Sequence, residues 1–245
     1  MEQTTVMEQT VPEEQEQKLK WWQVLWGVIR HPGSTFRQTG GRAGLGLPAF
    51  LMIGGTVFLT VATTLSQQGK LAAEMHKKLA ETPNVPPEQI ERIVAISSSP
   101  AAAATGAVMA IIGVLIAWII QSGILHLLVR ALGGKGVFRQ AFGIVGWAWI
   151  PLFIGSVVRG IYALATGNLP VPQGTGLWHA ITANTNVFNV WNLALLIIGF
   201  SAVYGTTKMR AAVPVVGMWV LAVLLTYVAG SIGQGFGLGA PAGVP

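Results

Sequence analysis

A chain of 245 residues that is 52% hydrophobic, only 10% charged and has a mean hydropathy of +0.58 reads as a membrane protein, since a soluble domain devotes about 25% of its residues to charge. All nine acids are glutamates and none lies beyond Glu91, so the 154 residues from Arg92 to Pro245 offer no carboxylate for acid-base pairs, metal sites or proton relays. Cysteine is absent, which excludes disulfides, thiolate zinc and cysteine nucleophiles, and the net charge of +6 gathers at membrane edges, where anionic headgroups and not nucleic acid are the expected partner.

Residues 1–17, "MEQTTVMEQTVPEEQEQ", are polar and acidic without an apolar centre. They read as a disordered cytoplasmic tail and not as a secretory signal. Residues 18–46 hold "LKWWQVLWGVIRHP", whose helical wheel gathers Leu19, Trp21, Trp22, Leu25, Trp26, Val28 and Ile29 on one face. Lys20, Gln23, Gly27 and Arg30 lie opposite, with Val24 at the edge of the polar side. A helix of roughly 12 residues cannot cross about 30 Å of hydrocarbon, and tryptophans opposed by bases suit the headgroup boundary. An interfacial amphipathic helix ended by His31-Pro32-Gly33 is predicted, packed on the protein's own helices, on lipid, or on both.

Five stretches, about 47–66, 103–129, 141–163, 187–206 and 213–234, are long and apolar enough to span. Lipid offers peptide groups no partners, so each must be a helix. The expected fold is therefore all-α: a polytopic bundle of five transmembrane helices over 47–235, preceded by the interfacial helix and followed by a flexible tail, 236–245. The insertion 67–102 reads as two short amphipathic helices, one lined by Leu71, Met75 and Leu79, the other opened by Pro86-Pro87 and lined by Ile90, Ile93 and Val94. In the third span Pro151 removes the donor for the carbonyl of Trp147, which predicts a bend.

Lysine and arginine set the orientation. Arg30, Arg37 and Arg42 precede the first span, Arg130, Lys135 and Arg139 fill the second connection, and Lys208 and Arg210 fill the fourth. The third connection, "TGNLPVPQGTGLWHAITANTN", and the final tail have neither base; only the first connection, with Lys70, Lys77, Lys78 and Arg92, blurs the pattern. A cytoplasmic N-terminus, an external C-terminus and a prokaryotic plasma (inner) membrane are expected. Phe36-Arg37-Gln38 and Phe138-Arg139-Gln140 then mark cytoplasmic boundaries, phenylalanine reaching the apolar edge and arginine staying with water and phosphate. Trp21, Trp22, Trp26, Arg30, Arg37 and Arg139 form the expected membrane-interface set.

The candidate intramembrane polar residues fall in two rows. Asn186, Asn189 and Asn192 recur every third residue, an arc of about 120° on a helix of 3.6 residues per turn, in the outer half of the fourth span. They read as glue between helices or as the lining of a polar pocket. Ser122, His126 and Arg130 lie at fourfold spacing toward the inner end of the second span, with Gln121 at the midplane between the rows. Arg159 is read as snorkelling to the outer boundary. His76 and His179 are assigned to loops and make no ligand cluster, so no metal site is expected. The glycine-rich pieces lack the strand and lysine of a phosphate cradle, and no catalytic set or cofactor site emerges. Small pairs at fourfold spacing, Gly113/Ala117, Ser201/Gly205 and Ala229/Gly233, suit close helix approach within or between chains.

The stretches "WWQVLWGVIRHPGSTFRQ", "LGGKGVFRQAFGIVGWAWIP" and "VWNLALLIIGFSAVYGTTKMRAA", in this order and with five spans, resemble the Yip/Yif domain family, named from interaction with Ypt (Rab) GTPases. The resemblance covers most of residues 20 to 235 and implies a cytosolic N-terminus and five membrane helices. For eukaryotic members it implies vesicle traffic and membrane shaping through Rab-type GTPases and related membrane proteins. Those members carry Asp-Leu-Tyr-Gly-Pro before the membrane domain, whereas this sequence has no aspartate, which argues against GTPase binding and for a prokaryotic-type member. The expected function is non-enzymatic organisation of lipid, of other membrane proteins or of further copies of the chain. The alternative is a small-molecule or ion transporter or channel using a polar pocket on the fourth helix.

Overall fold

A computed structural model describes residues 19–40, 44–81, 86–97, 99–168 and 176–235; the two tails, Arg42 and part of the third connection lie outside them. Ten helices are described: α1 (Trp21–Arg30), α2 (Pro32–Thr39), α3 (Gly46–Ala80), α4 (Pro87–Ser97), α5 (Pro100–Ala131), α6 (Phe138–Ala148), α7 (Ile150–Thr166), α8 (Leu177–Asn184), α9 (Val187–Tyr204) and α10 (Lys208–Gly235). Five spans are long and apolar enough to cross a bilayer: Gly46–Gln67, Pro100–Ala131, Phe138–Thr166, Val187–Tyr204 and Lys208–Ile232. The protein is an all-α, multi-pass membrane protein.

Two connections differ from the sequence reading. The first short helix of the insertion is the continuation of the first span, because α3 runs unbroken from Gly46 to Ala80. "KLAAEMHKKLA" is built of strong helix formers, and one interior glycine, Gly69, costs only about 1 kcal/mol against alanine. The third connection contains α8, so His179 stands on a helix, as does His76 in α3.

The bases at the end opposite the N-terminal helices have a local task in one case. Lys70 donates from Nζ to the Gly167 carbonyl at 2.9 Å and to Asn168 Oδ1 at 2.7 Å. It thus caps the C-terminus of α7, whose chain turns away through Gly167 in the left-handed region (φ 65°). This contact explains a base that blurred the charge pattern.

α6 is the centre of the bundle. Ala141 and every residue from Gly143 to Trp149 are buried, with α5 on one side and α9 on the other. The third span is broken as Pro151 predicts, with the interruption at Trp149, since a proline cannot complete the turn before it. α3 packs along α7 through glycines: Cβ atoms at Gly55 and Gly160 would overlap Phe153 and Phe58. Such contacts drive association where lipid is as apolar as the partner helix. Of the pairs singled out in the sequence, Gly113 and Gly205 have open space within this chain where a Cβ would stand, and Gly233 of the third pair lies outside the residues whose side-chain positions are described.

Candidate functional site

The basic end is closed by α1 and α2. Gln23 Oε1 accepts the Lys20 backbone N–H at 2.8 Å and so starts α1. Val24 and Val28 are its buried residues, and Gly27 lies so close to Thr35 that a Cβ would overlap it. The face with Val24 and Gly27, polar on the wheel, therefore docks on the protein. Trp21, Trp22 and Trp26 remain 61%, 46% and 55% exposed, with the Arg30 guanidinium 4.9 Å over the Trp26 ring. The helix is anchored by two valines and presents three indoles outward.

Around it stand Lys20, Arg30, Arg37, Arg130, Lys135, Arg139, Lys208 and Arg210, all exposed. The acids among the described residues are Glu74, Glu81, Glu88 and Glu91, all near the other end of the bundle in α3, the turn after it and α4. The basic end has no carboxylate among the described residues to neutralise it. Of the two Phe-Arg-Gln stretches, only one behaves as read. Phe138 is 45% exposed, and Gln140 Oε1 accepts the Val137 N–H at 2.9 Å to start α6. Phe36 is 1% exposed, packed within the core where a Cβ on Gly199 would touch it.

The glycine-rich turn before α6 is a clamp on Tyr204, itself 1% exposed. The Tyr204 hydroxyl is 2.7 Å from His126 Nδ1 and donates to the Val137 carbonyl at 3.3 Å, while the Tyr204 carbonyl accepts from Lys135 N at 3.0 Å. Cβ atoms at Gly134 and Gly136 would strike the Tyr204 ring. His126 thus holds a structural hydrogen bond, and Ser122 gives its hydroxyl proton to the Trp118 carbonyl one turn back at 2.7 Å.

The midplane carries a polar layer built on the break in the third span. Asn192 Nδ2 donates to the Ala148 carbonyl at 2.7 Å, and Trp149 Nε1 donates to Gln121 Oε1, also at 2.7 Å. One turn away Trp118 Nε1 donates to the Phe142 carbonyl at 3.0 Å. Gln121 lies ten residues before the end of α5, Asn192 twelve before the end of α9 and Trp219 eleven after the start of α10. At 1.5 Å per residue these are depths of about 15 to 18 Å, the middle of a hydrocarbon core of about 30 Å.

Gln121, Asn189 and Asn192 line one cavity of about 170 Å³ with Asn184, Trp219 and aliphatic side chains of α5, α9 and α10. Gln121, read at the midplane, thus joins two members of the asparagine row, whereas Ser122, His126 and Arg130 are not among the lining residues. Asn186 stands apart, as the N-cap of α9, its Oδ1 accepting from Phe188 N and Asn189 N at 3.1 and 3.0 Å. Asn184 was not singled out in the sequence; its carbonyl accepts from Asn189 Nδ2 and Trp219 Nε1, and its amide reaches Thr226 Oγ1 at 3.0 Å. An asparagine two residues before the row and just outside the apolar stretch was the available signal. Arg159 turns its Nε to the Gly155 carbonyl at 3.2 Å, one turn toward the midplane.

Asn192→Leu is expected to cost about 1 to 2 kcal/mol, because a buried carbonyl at a helix break loses its donor. Reversible unfolding of the full chain in mixed micelles measures it. A loss under about 0.5 kcal/mol would show that the break satisfies itself by other means.

A family model described as the Yip1 domain matches residues 26–230. Membrane protein YknW of Bacillus subtilis (strain 168) is 25% identical over 210 residues, which cover 82% of this chain and 84% of that relative. No solved structure matches.

Proposed function

The chain belongs to the Yip1 domain family, and we propose that it organises lipid or membrane-protein partners at the cytoplasmic face of a prokaryotic plasma membrane, without catalysing a reaction. The observation that carries the reading is the basic end: a helix docked by Val24 and Val28 that turns Trp21, Trp22 and Trp26 outward amid exposed bases. Indoles favour the headgroup boundary, and each base near an anionic surface adds about 1 kcal/mol. The same bases orient the basic end toward the cytoplasm under the positive-inside rule, which puts the C-terminus outside. The partner is a membrane surface, a second membrane protein or another copy, not a nucleic acid. Binding of a GTPase is not part of the proposal, since the aspartate-containing stretch of eukaryotic members is missing.

Full-length protein reconstituted into phosphatidylcholine vesicles, with and without phosphatidylglycerol, tests this. Clustering or tubulation is expected only with the anionic lipid, and a variant carrying Trp21→Ser, Trp22→Ser and Trp26→Ser should lose it. Unaltered vesicle shape together with a solute flux abolished by Asn189→Leu would instead establish a transporter, the reading that the midplane cavity favours.

A further inference from the structure

We propose that the midplane cavity between α5, α9 and α10 is a binding site for an uncharged hydroxyl compound, either a free polyol or the hydroxyl head of a neutral lipid. The lining is Gln121, Asn184, Asn189, Asn192 and Trp219 on the polar side and Leu125, Leu193, Leu196, Val215, Met218 and Ala222 on the apolar side. No side chain there is ionisable. A charged ligand at mid-membrane depth would leave its charge uncompensated in a medium where that is most costly.

The hydrogen-bonding capacity left over defines the ligand further. Each amide uses one end for the fold: Asn192 Nδ2 on the Ala148 carbonyl, Asn189 Nδ2 on the Asn184 carbonyl, Asn184 Nδ2 on the Ala180 carbonyl and Thr226 Oγ1, and Gln121 Oε1 on the Trp149 indole. The other ends, Asn184 Oδ1, Asn189 Oδ1, Asn192 Oδ1 and Gln121 Nε2, have no protein partner among the described residues. Three acceptor oxygens and one donor nitrogen around one cavity call for a group that both donates and accepts. A hydroxyl does both, whereas an ether or ester accepts only. The apolar wall would meet the carbon skeleton.

The size agrees. A volume of about 170 Å³ is below the roughly 300 Å³ of the smallest drug-sized pockets and well above the roughly 10–15 Å³ that holds one water. A group of a few carbons with its hydroxyls fits; a sugar chain or nucleotide does not. Because the fold already satisfies one end of each amide, the four free ends are held in place before the ligand arrives, which reduces the ordering cost of binding.

The full chain in phosphatidylcholine nanodiscs tests this with two probes: radiolabelled glycerol, and a diacylglycerol carrying a diazirine. Saturable binding of either is expected, with glycerol alone pointing to a free polyol. Diazirine labelling of α5, α9 or α10 that unlabelled dioleoylglycerol displaces points to a lipid. Ala222→Phe fills the cavity without touching a side-chain hydrogen bond and should weaken binding at least tenfold; Gln121→Leu should do the same if it folds. Phosphatidic acid should compete at least tenfold less well than dioleoylglycerol. Absence of saturable binding, which means water alone in the cavity, overturns the proposal, as does binding unchanged by Ala222→Phe or equal competition by phosphatidic acid.

Discussion

Gly136→Val should loosen the whole basic end of the bundle and cost about 3 kcal/mol, the upper part of the range for overpacking a closed site. The backbone is not the reason, for Gly136 is not among the residues with positive φ. The obstacle is Tyr204: a Cβ on Gly136 would overlap its ring, and the ring cannot yield. It is buried between this turn, Phe200 at 5.2 Å and His126 at 5.9 Å between ring centroids, and held by hydrogen bonds at both its hydroxyl and its carbonyl. Displacing the ring would therefore detach the α5–α6 turn from α9 and leave His126 Nδ1 without the Tyr204 hydroxyl, while the Val137 carbonyl keeps its bonds from Gln140 N and Ala141 N. Thermal unfolding of the detergent-solubilised full chain measures the loss. Tyr204→Leu removes the obstructing ring, so Gly136→Val placed on that background should cost about 1 kcal/mol or less, and such a coupling is what contacting residues show. Equal costs on both backgrounds would mean that Tyr204 is not what Gly136 accommodates.

How much of this was legible in the sequence depends on the kind of signal. Spans announce themselves by length and apolarity, so all five were found, with ends displaced by a few residues. The break in the third span was legible because proline acts through a local covalent constraint. What faces what was not. In lipid, outward and inward surfaces are equally apolar, so nothing in "WWQVLWGVIR" says that Val24 and Val28 face the protein and the tryptophans do not. The glycines that matter, Gly55, Gly136, Gly146 and Gly160, are recognised only by the aromatic ring each accommodates, and those rings lie 28 to 102 residues away in sequence. The polar layer was half visible. Asparagine every third residue marks one helix face, but that Gln121 meets it across the bundle is a fact of topology, fixed by which helices flank the break.

Trp118→Ala is the second large expected effect, about 3 kcal/mol, the low end for truncating a buried tryptophan. The low end applies because the separated helices would still rest in lipid, so little of the loss is transfer from water and most is packing. That packing is specific: the Trp118 ring stacks on Phe142 at 4.3 Å and 8°, tilts against Trp149 at 6.3 Å, and occupies the space that a side chain on Gly146 would need. Its indole also donates to the Phe142 carbonyl. α5 otherwise carries a long apolar surface, with Ile112, Ile116, Ile119 and Ile120 exposed, so Trp118 is a main reason it stays on α6. Two readouts separate a local from a general defect. Unfolding in mixed micelles reports the total cost, and labelling of a cysteine introduced at Gln121 by a small thiol reagent reports whether α5 has moved off the break. Fast labelling in Trp118→Ala with slow labelling in the parent background is expected. Equal labelling, or a cost under about 1 kcal/mol against the packing expectation, would mean that α5 is held by its remaining contacts and that the midplane layer does not depend on this ring.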